Sequence, residues 1–228
     1  MGGLGHVAFI MDGNGRWATA KSKPRVDGHK AGAIAMEKIV PYAFSRGATV
    51  LSFYAFSTEN WSRPKREVLG ILSLLMILLE RNLPFFIKNQ IRLVVSGDLS
   101  MLSGVRRKKV YDAIEKTKDF KKTVNILFNY GGKSDILRAV KSLIAKGVEN
   151  PSEDDFEKEL YSAGLPPVDM VIRTSGEKRL SNFMLWQTAY SELYFTDVLW
   201  PDFSEKDYDE AVSWFQSRRR RYGGLDEK

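Results

Sequence analysis

Three stretches of this chain carry side chains suited to binding phosphate. Asp12, Asn14, Arg16, Arg25 and His29 lie in the first, Ser57, Glu59, Asn60, Trp61 and Arg63 in the second, and Arg173, Arg179 and Ser181 in the third. The planar guanidinium fork matches phosphate oxygens. Gly13 and Gly15 let backbone N–H groups come close to an anion. Asp12 and Glu192 are carboxylates that could hold Mg²⁺, which takes few carboxylates and completes its shell with phosphate oxygens. Such a set suits work on diphosphates. Each residue also has a plainer reading. Asp12 fits a turn, His29 a polar position near a helix start, Trp17 and Trp61 packing, and Arg63 the surface beside Pro64. What unites them is position, because each stretch follows an apolar, strand-like run.

Those runs are 6–11, 48–56, 91–97, 123–130, 168–173 and 193–198, mostly apolar on both faces, as in strands covered from both sides. Helical patterns fall between them at 28–46, 65–89, 101–118, 134–147 and 181–191, with a last one at 205–221. Ser204 and Asp207 resemble a capping box for the last. Pro84 is expected to break or kink the second. The alternation predicts an α/β fold: a single domain, residues 1–228, with a mostly parallel central sheet of about six strands flanked by helices. Ligands of such sheets bind beyond the carboxyl ends of strands, where the three stretches lie.

Simpler phosphate motifs fail. Gly13, Gly15 and Ala18 fit a loose dinucleotide pattern, but no helix is expected to start at the glycines and no acidic residue ends the next strand. Gly132-Lys133-Ser134 resembles the end of a P-loop, yet Leu127 stands where its first glycine belongs; a tight turn with Ser134 as helix N-cap fits better. The chain has 228 residues, 43% of them hydrophobic, no cysteine and a net charge of +7. Absence of cysteine excludes disulfides, thiolate metal sites and cysteine nucleophiles, and suits a cytoplasmic protein. The longest apolar stretch, 69–79, is too short to span a bilayer. The positive charge fits nucleic acid, an anionic membrane surface or phosphorylated small molecules.

The segments HVAFIMDGNGRWA, GHKAG, YAFSTENWSRP, NYGG, VIRTSGEKRLSNF and LWQTAYSELYFTDVLWPDF resemble, in unbroken order over about residues 6–224, the motifs of the cis-prenyltransferases. The resemblance implies a Mg²⁺-dependent homodimer. It would add isopentenyl diphosphate repeatedly to farnesyl diphosphate, forming cis double bonds and a long polyprenyl diphosphate, the undecaprenyl type that serves as lipid carrier for cell-wall glycan synthesis. Asp12 then matches the carboxylate that places Mg²⁺ and drives loss of the allylic diphosphate. Gly13, Asn14, Gly15, Arg16, Trp17, Arg25 and His29 match the allylic diphosphate site. Ser57, Thr58, Glu59, Asn60, Trp61 and Arg63 match a loop that organises both substrates. Arg173, Arg179, Leu180 and Ser181 match the isopentenyl diphosphate site, and Glu192 a second metal contact. Asn60 matches the position assigned as proton acceptor; an amide is a weak base, so a diphosphate oxygen positioned by Asn60 is the expected acceptor. Lys178 stands where some family members carry histidine and is left outside the metal set. The closing RRRRYGG resembles a tail that reaches the partner subunit's site.

The resemblance also implies an apolar product tunnel, with 68–87 as one wall, and a transient peripheral contact with a membrane for product release, placing the enzyme in the cytoplasm at the inner face of that membrane. The trans-prenyltransferase pattern DDxxD is missing: Glu153-Asp154-Asp155 continues Phe156-Glu157-Lys158 and reads as a helix start. The competing classes are a basic nucleic-acid-binding protein and an inert prenyltransferase partner subunit. Retention of Asp12 and of the arginines argues against the second. No nucleic-acid partner is expected.

Overall fold

The computed structural model describes residues 4–219. Six strands form one all-parallel sheet in the order β3-β4-β2-β1-β5-β6. They are β1 (His6–Ile10), β2 (Val50–Ser57), β3 (Ile91–Ser96), β4 (Lys122–Tyr130), β5 (Met170–Arg173) and β6 (Glu192–Phe195). Between them run α1 (Asn14–Ala20), α2 (Arg25–Ser45), α3 (Lys65–Lys88), α4 (Gly104–Thr117), α5 (Gly132–Ala145), α6 (Glu153–Glu157) and α7 (Glu205–Gln216). The continuous apolar runs of β1, β2 and β5 are buried on both faces.

The main core packs α2, α3 and α7 against the sheet around Phe9, Phe53 and Trp200. A smaller core, with Phe183 and Met184, backs Ala8, Ile10 and Val171. A third joins α3 and α4 through Leu72, Leu102 and Val110.

One row of polar side chains crosses this apolar sheet. His6 Nδ1 lies 2.8 Å from the Pro166 carbonyl and Nε2 2.8 Å from Ser52 Oγ. A carbonyl only accepts, so Nδ1 carries the proton and Nε2 accepts from Ser52. Asn125 Nδ2 then donates to Ser52 Oγ (3.1 Å), and Ser96 Oγ donates to Asn125 Oδ1 (2.8 Å). The row spans β1, β2, β4 and β3, and it is satisfied only with neutral His6. Burial accordingly lowers the His6 pKa, against the Pro166 hydrogen bond and the Asp169 charge.

The structure corrects several expectations. A helix, α1, does begin at the glycine loop. Gly13, at φ +106°, takes the left-handed conformation that lets the chain turn from β1 into it. No helix occupies 181–191: positive φ at Ser181, Asn182 and Met184 breaks it into turns. Ser134 is not an N-cap. α5 starts at Gly132 behind Gly131, and the Ser134 hydroxyl donates to the Gly131 carbonyl. α3 runs unbroken through Pro84, which lies on its exposed side, where the Glu80 carbonyl it orphans can turn to water. The helix is therefore 24 residues, long and apolar enough by length and composition to cross a membrane, although the apolar stretch 69–79 alone is not. The capping box at Ser204 and Asp207 and the helix start at 153–155 are as expected. α7 ends at Gln216, and the tail of RRRRYGG from residue 220 lies outside the described residues.

Candidate active site

β1 and β5 are neighbours whose chains leave in opposite directions, β1 toward β2 and β5 toward β6. A crevice opens at such a point beyond the carboxyl ends of the strands. Ile10 pairs with Arg173 at its floor, and Asp12 and Arg173 meet there. Arg173 Nη2 donates to Asp12 Oδ2 at 2.9 Å. Its Nη1 donates to Ser181 Oγ at 2.7 Å and to the Arg179 carbonyl, and its Nε is buried without a partner. The Gly13 N–H donates to Asp12 Oδ1 at 2.7 Å. The Asp12 carbonyl accepts from Thr174 Oγ1 (2.7 Å) and the Trp200 N–H (3.0 Å), fixing the backbone that presents the carboxylate. Burial pushes the Asp12 pKa up. The Arg173 bond and charge, the Gly13 N–H and Arg16 outweigh it, so the carboxyl sits below its ordinary value.

Arg16 donates to Ser175 Oγ. A second cluster forms on Glu67 at the start of α3. Its Oε1 lies 3.0 Å from Arg63 Nη1 and 3.5 Å from His29 Nε2, and its Oε2 lies 3.3 Å from Arg25 Nε. One carboxylate thus ties together cations from α2 and from the second loop. Burial raises the Glu67 pKa, but Arg25, Arg63 and His29 bring it below normal. Burial lowers that of His29, with Arg63 and Arg25 adding to it against Glu67, so His29 is neutral at pH 7. The second loop is a 3-10 turn, Thr58–Ser62, closed by Ser57 and Asn60 as a capping box, with the Ser57 N–H donating to Asn60 Oδ1 at 3.1 Å. Asn182 Nδ2 donates to Glu59 Oε1 (2.8 Å) and links this turn to the third loop.

These residues line a polar cleft of about 670 Å³: Asp12 to Arg16, Arg25, His29, Ser57, Glu59, Asn60, Arg63, Arg173 and Ser181. Met11, Asn14, His29, Ala55 and Ile71 also line an adjoining apolar cavity of about 140 Å³ between α2, α3, α4 and the sheet. Ile71, Leu75, Leu79 and Phe86 of α3 face that cavity.

Other expected residues lie elsewhere. Trp17 Nε1 donates to Asp202 (2.7 Å) under Lys21, and Trp61 packs on Phe56 and donates to Asn129 (2.7 Å). Both are packing residues and line neither cavity. Thr58 abuts Gly131. Arg179 pairs with Glu177 on an exposed loop, and Leu180 packs into the small core. Glu192 is not brought to Asp12. It opens β6, level with Met170 and through it with Val7, five residues upstream of Asp12, so the two carboxylates sit toward opposite edges of the sheet. Its partner here is Arg218 Nε at 3.5 Å. Tyr54, Asn182 and Glu67 belong to the site and were not expected. Asn182 directly follows Ser181 in a quoted motif, and Glu67 stands four residues after Arg63, which are the signals that could have found them.

Among the described residues no three His, Asp or Glu side chains converge as a metal cage. Asp12, ionised and about one-third exposed in the cleft, fits the smaller demand of Mg²⁺ for one carboxylate completed by phosphate oxygens.

The family model described as undecaprenyl diphosphate synthase matches residues 10–223. The chain belongs to the undecaprenyl diphosphate synthase family. Its similarity to curated members of the family is nearly full length. The farnesyl-diphosphate-specific ditrans,polycis-undecaprenyl-diphosphate synthase of Haemophilus influenzae is 46% identical over 97% of this chain and 95% of its own length. The isoprenyl transferase of Fusobacterium nucleatum is 47% identical, covering 96% of each chain. Among solved structures, a probable undecaprenyl diphosphate synthase from Campylobacter jejuni superposes with a TM-score of 0.82 at 36% identity, covering 98% of this chain and all of that one. Lavandulyl diphosphate synthase from Lavandula x intermedia, in complex with dimethylallyl diphosphate, does so with a TM-score of 0.87 at 33% identity, over 96% and 97%.

Proposed function

We propose that this chain condenses isopentenyl diphosphate repeatedly onto farnesyl diphosphate, with cis double-bond formation, to give a long polyprenyl diphosphate of the undecaprenyl type. The observation that carries the reading is the polar, arginine-rich cleft opening onto an apolar cavity through Met11, Asn14, His29, Ala55 and Ile71. A diphosphate head held in the first directs its hydrocarbon tail into the second.

The Gly13 and Asn14 region at the start of α1, with Arg16, Arg25 and Arg63, holds the allylic diphosphate. Arg173 and Ser181 hold the diphosphate of isopentenyl diphosphate close by, since two separate clamps set a near-attack geometry. The allylic C–O bond breaks and its electron pair leaves on the diphosphate. The alkene of isopentenyl diphosphate bonds to the allylic carbon, and a proton passes to a diphosphate oxygen positioned near Asn60. Arg16, Arg25 and Arg63 stabilise the negative charge as it develops on the leaving group. Mg²⁺, held by Asp12, supplies Lewis-acid stabilisation of the same oxygens when bound.

The 140 Å³ cavity is about the size that admits a benzene, so it must widen as the chain grows. The exposed row Leu137, Val140 and Ile144 on α5 supports a homodimer, and a cytoplasmic enzyme delivering its product to the membrane fits the cysteine-free sequence. The test is radiolabelled isopentenyl diphosphate with farnesyl diphosphate and Mg²⁺, with products resolved by length. Long cis products are expected. No prenyl product, together with salt-sensitive binding of DNA or RNA, would overturn the reading in favour of a basic nucleic-acid-binding protein.

A further inference from the structure

We propose that the outer face of the α3–α4 pair docks on an anionic lipid surface. Residues 65–118 carry eleven Lys and Arg against five Asp and Glu, a surplus of six in a chain whose net charge is +7. The excess charge is therefore concentrated on the two helices and the strand that wall the apolar cavity. α4 opens with four consecutive cations, Arg106 to Lys109. Lys108 pairs with Asp112 and Lys109 with Glu80 of α3; such exposed pairs hold weakly and exchange readily for lipid phosphates. Arg106 and Arg107 make no ion pair among the described residues.

Large apolar side chains stand among these cations. Val105 is 70% exposed, Met101 59%, Ile77 57% and Leu69 51%. Both helices run antiparallel to the sheet strands they flank, and the Glu80–Lys109 contact aligns them. Val105 lies one turn before Lys109 and Ile77 about one turn before Glu80, so both border the same seam. Beneath it, Leu72, Met76, Leu79, Leu102 and Val110 line the cavity. Cations around protruding Met, Val and Ile match a bilayer carrying anionic headgroups over hydrocarbon. Nucleic acid would match the charge alone: Tyr111 is the one exposed aromatic of α4, and stacking needs a platform of them. For its purpose the proposal rests on the prenyl-transfer reading, since a product grown behind this face would meet the bilayer directly.

The experiment is co-sedimentation of the full chain with unilamellar vesicles of phosphatidylglycerol and phosphatidylcholine, or of phosphatidylcholine alone, at low and high salt. Two double variants are compared, Arg106→Gln/Arg107→Gln and Met101→Ser/Val105→Ser, with Lys206→Gln on α7 as control. Thermal melts and prenyl transfer in detergent micelles verify that the variants fold. Partition to anionic vesicles is expected to fall at high salt and to drop by roughly 30-fold in the arginine variant, at about 1 kcal/mol per cation. The apolar variant should weaken it at low salt as well, and Lys206→Gln should not change it. Equal binding to phosphatidylcholine, parental binding by both double variants, or binding of RNA without vesicle partition would overturn the proposal. Prenyl transfer in detergent without vesicle binding sinks this inference alone; vesicle binding without prenyl transfer sinks only the proposed function.

Discussion

A tryptophan placed on the cavity face of α3 should set product length by its position. Leu75 and Leu79 line the cavity one turn apart, about 6 Å along the helix. An isoprene repeat adds four chain bonds of about 1.5 Å, or about 5 Å of advance in a zigzag. Leu79→Trp should therefore truncate the product, and Leu75→Trp should stop it about one repeat earlier. Phe86 lies seven residues beyond Leu79, about 10 Å further, so Phe86→Ala should permit up to about two extra repeats. A helix that served only as core would behave otherwise. Phe86→Ala would then cost about 3–5 kcal/mol and each tryptophan about 1–3 kcal/mol of stability, with product length unchanged. Products from labelled isopentenyl diphosphate, resolved by length, are read beside melting temperatures. One length distribution in every folded, active variant would refute the tunnel.

Three further outcomes follow from the site. Asp12→Asn keeps an acceptor for the buried Arg173 but turns its NH₂ group against the Gly13 N–H, so it should lose about 1–3 kcal/mol of stability while kcat falls on the order of 10²–10³-fold; Asp12→Ala should lose more, toward the low end of the ~3–5 kcal/mol for breaking a buried pair, because Asp12 is partly exposed. Glu67→Gln should raise KM for farnesyl diphosphate roughly tenfold or more as Arg25, Arg63 and the neutral His29 lose their common partner, and an unchanged KM would show that these side chains need no alignment. Both histidines of the chain have lowered pKa values, so below about pH 6.5 the unfolded chain binds protons that the folded one refuses. Melting temperature should then fall as pH drops from 7 through 6.5 toward the folded pKa values, less so in His6→Gln, and a flat profile there would contradict neutral His6.

The strands and most helices were legible because runs buried on both faces between amphipathic stretches leave few architectures. The helix at 14–20 was not, because its seven residues hold almost no apolar period, and it is held by contact with α2: the Asn14 carbonyl would lie 1.9 Å from a Cβ at position 28, which is glycine. The turns at 181–191 were missed because their helix-like composition is overruled by three left-handed residues. In the site, the order of loops along strand ends was enough to bring Asp12, Arg16, Arg173 and Ser181 to one cleft. Sequence could not say that Trp17 turns to Asp202, outside the cleft lining, nor that Glu192 opens its strand at the end of the sheet opposite to the one where Asp12 follows β1. Glu67 escaped notice because its part is to hold other side chains, which no single-residue pattern reveals.

The polar row through His6, Ser52, Asn125 and Ser96 bears on how the sheet finds its alignment. Strands apolar on both faces lack the alternation that ordinarily rejects a slipped pairing. A two-residue slip of β2 against β4 would keep every side chain on its face and cost little hydrophobic contact. It would, however, part Ser52 from Asn125 and strand buried donors and acceptors, at about 1–3 kcal/mol for each unpaired group. The row thus separates the native alignment from its nearest competitor during assembly. Substituting one member should produce misregistered, aggregation-prone chains before it produces a visibly altered fold, whereas replacing the whole row with apolar residues should leave a stable sheet with no preference between the two pairings.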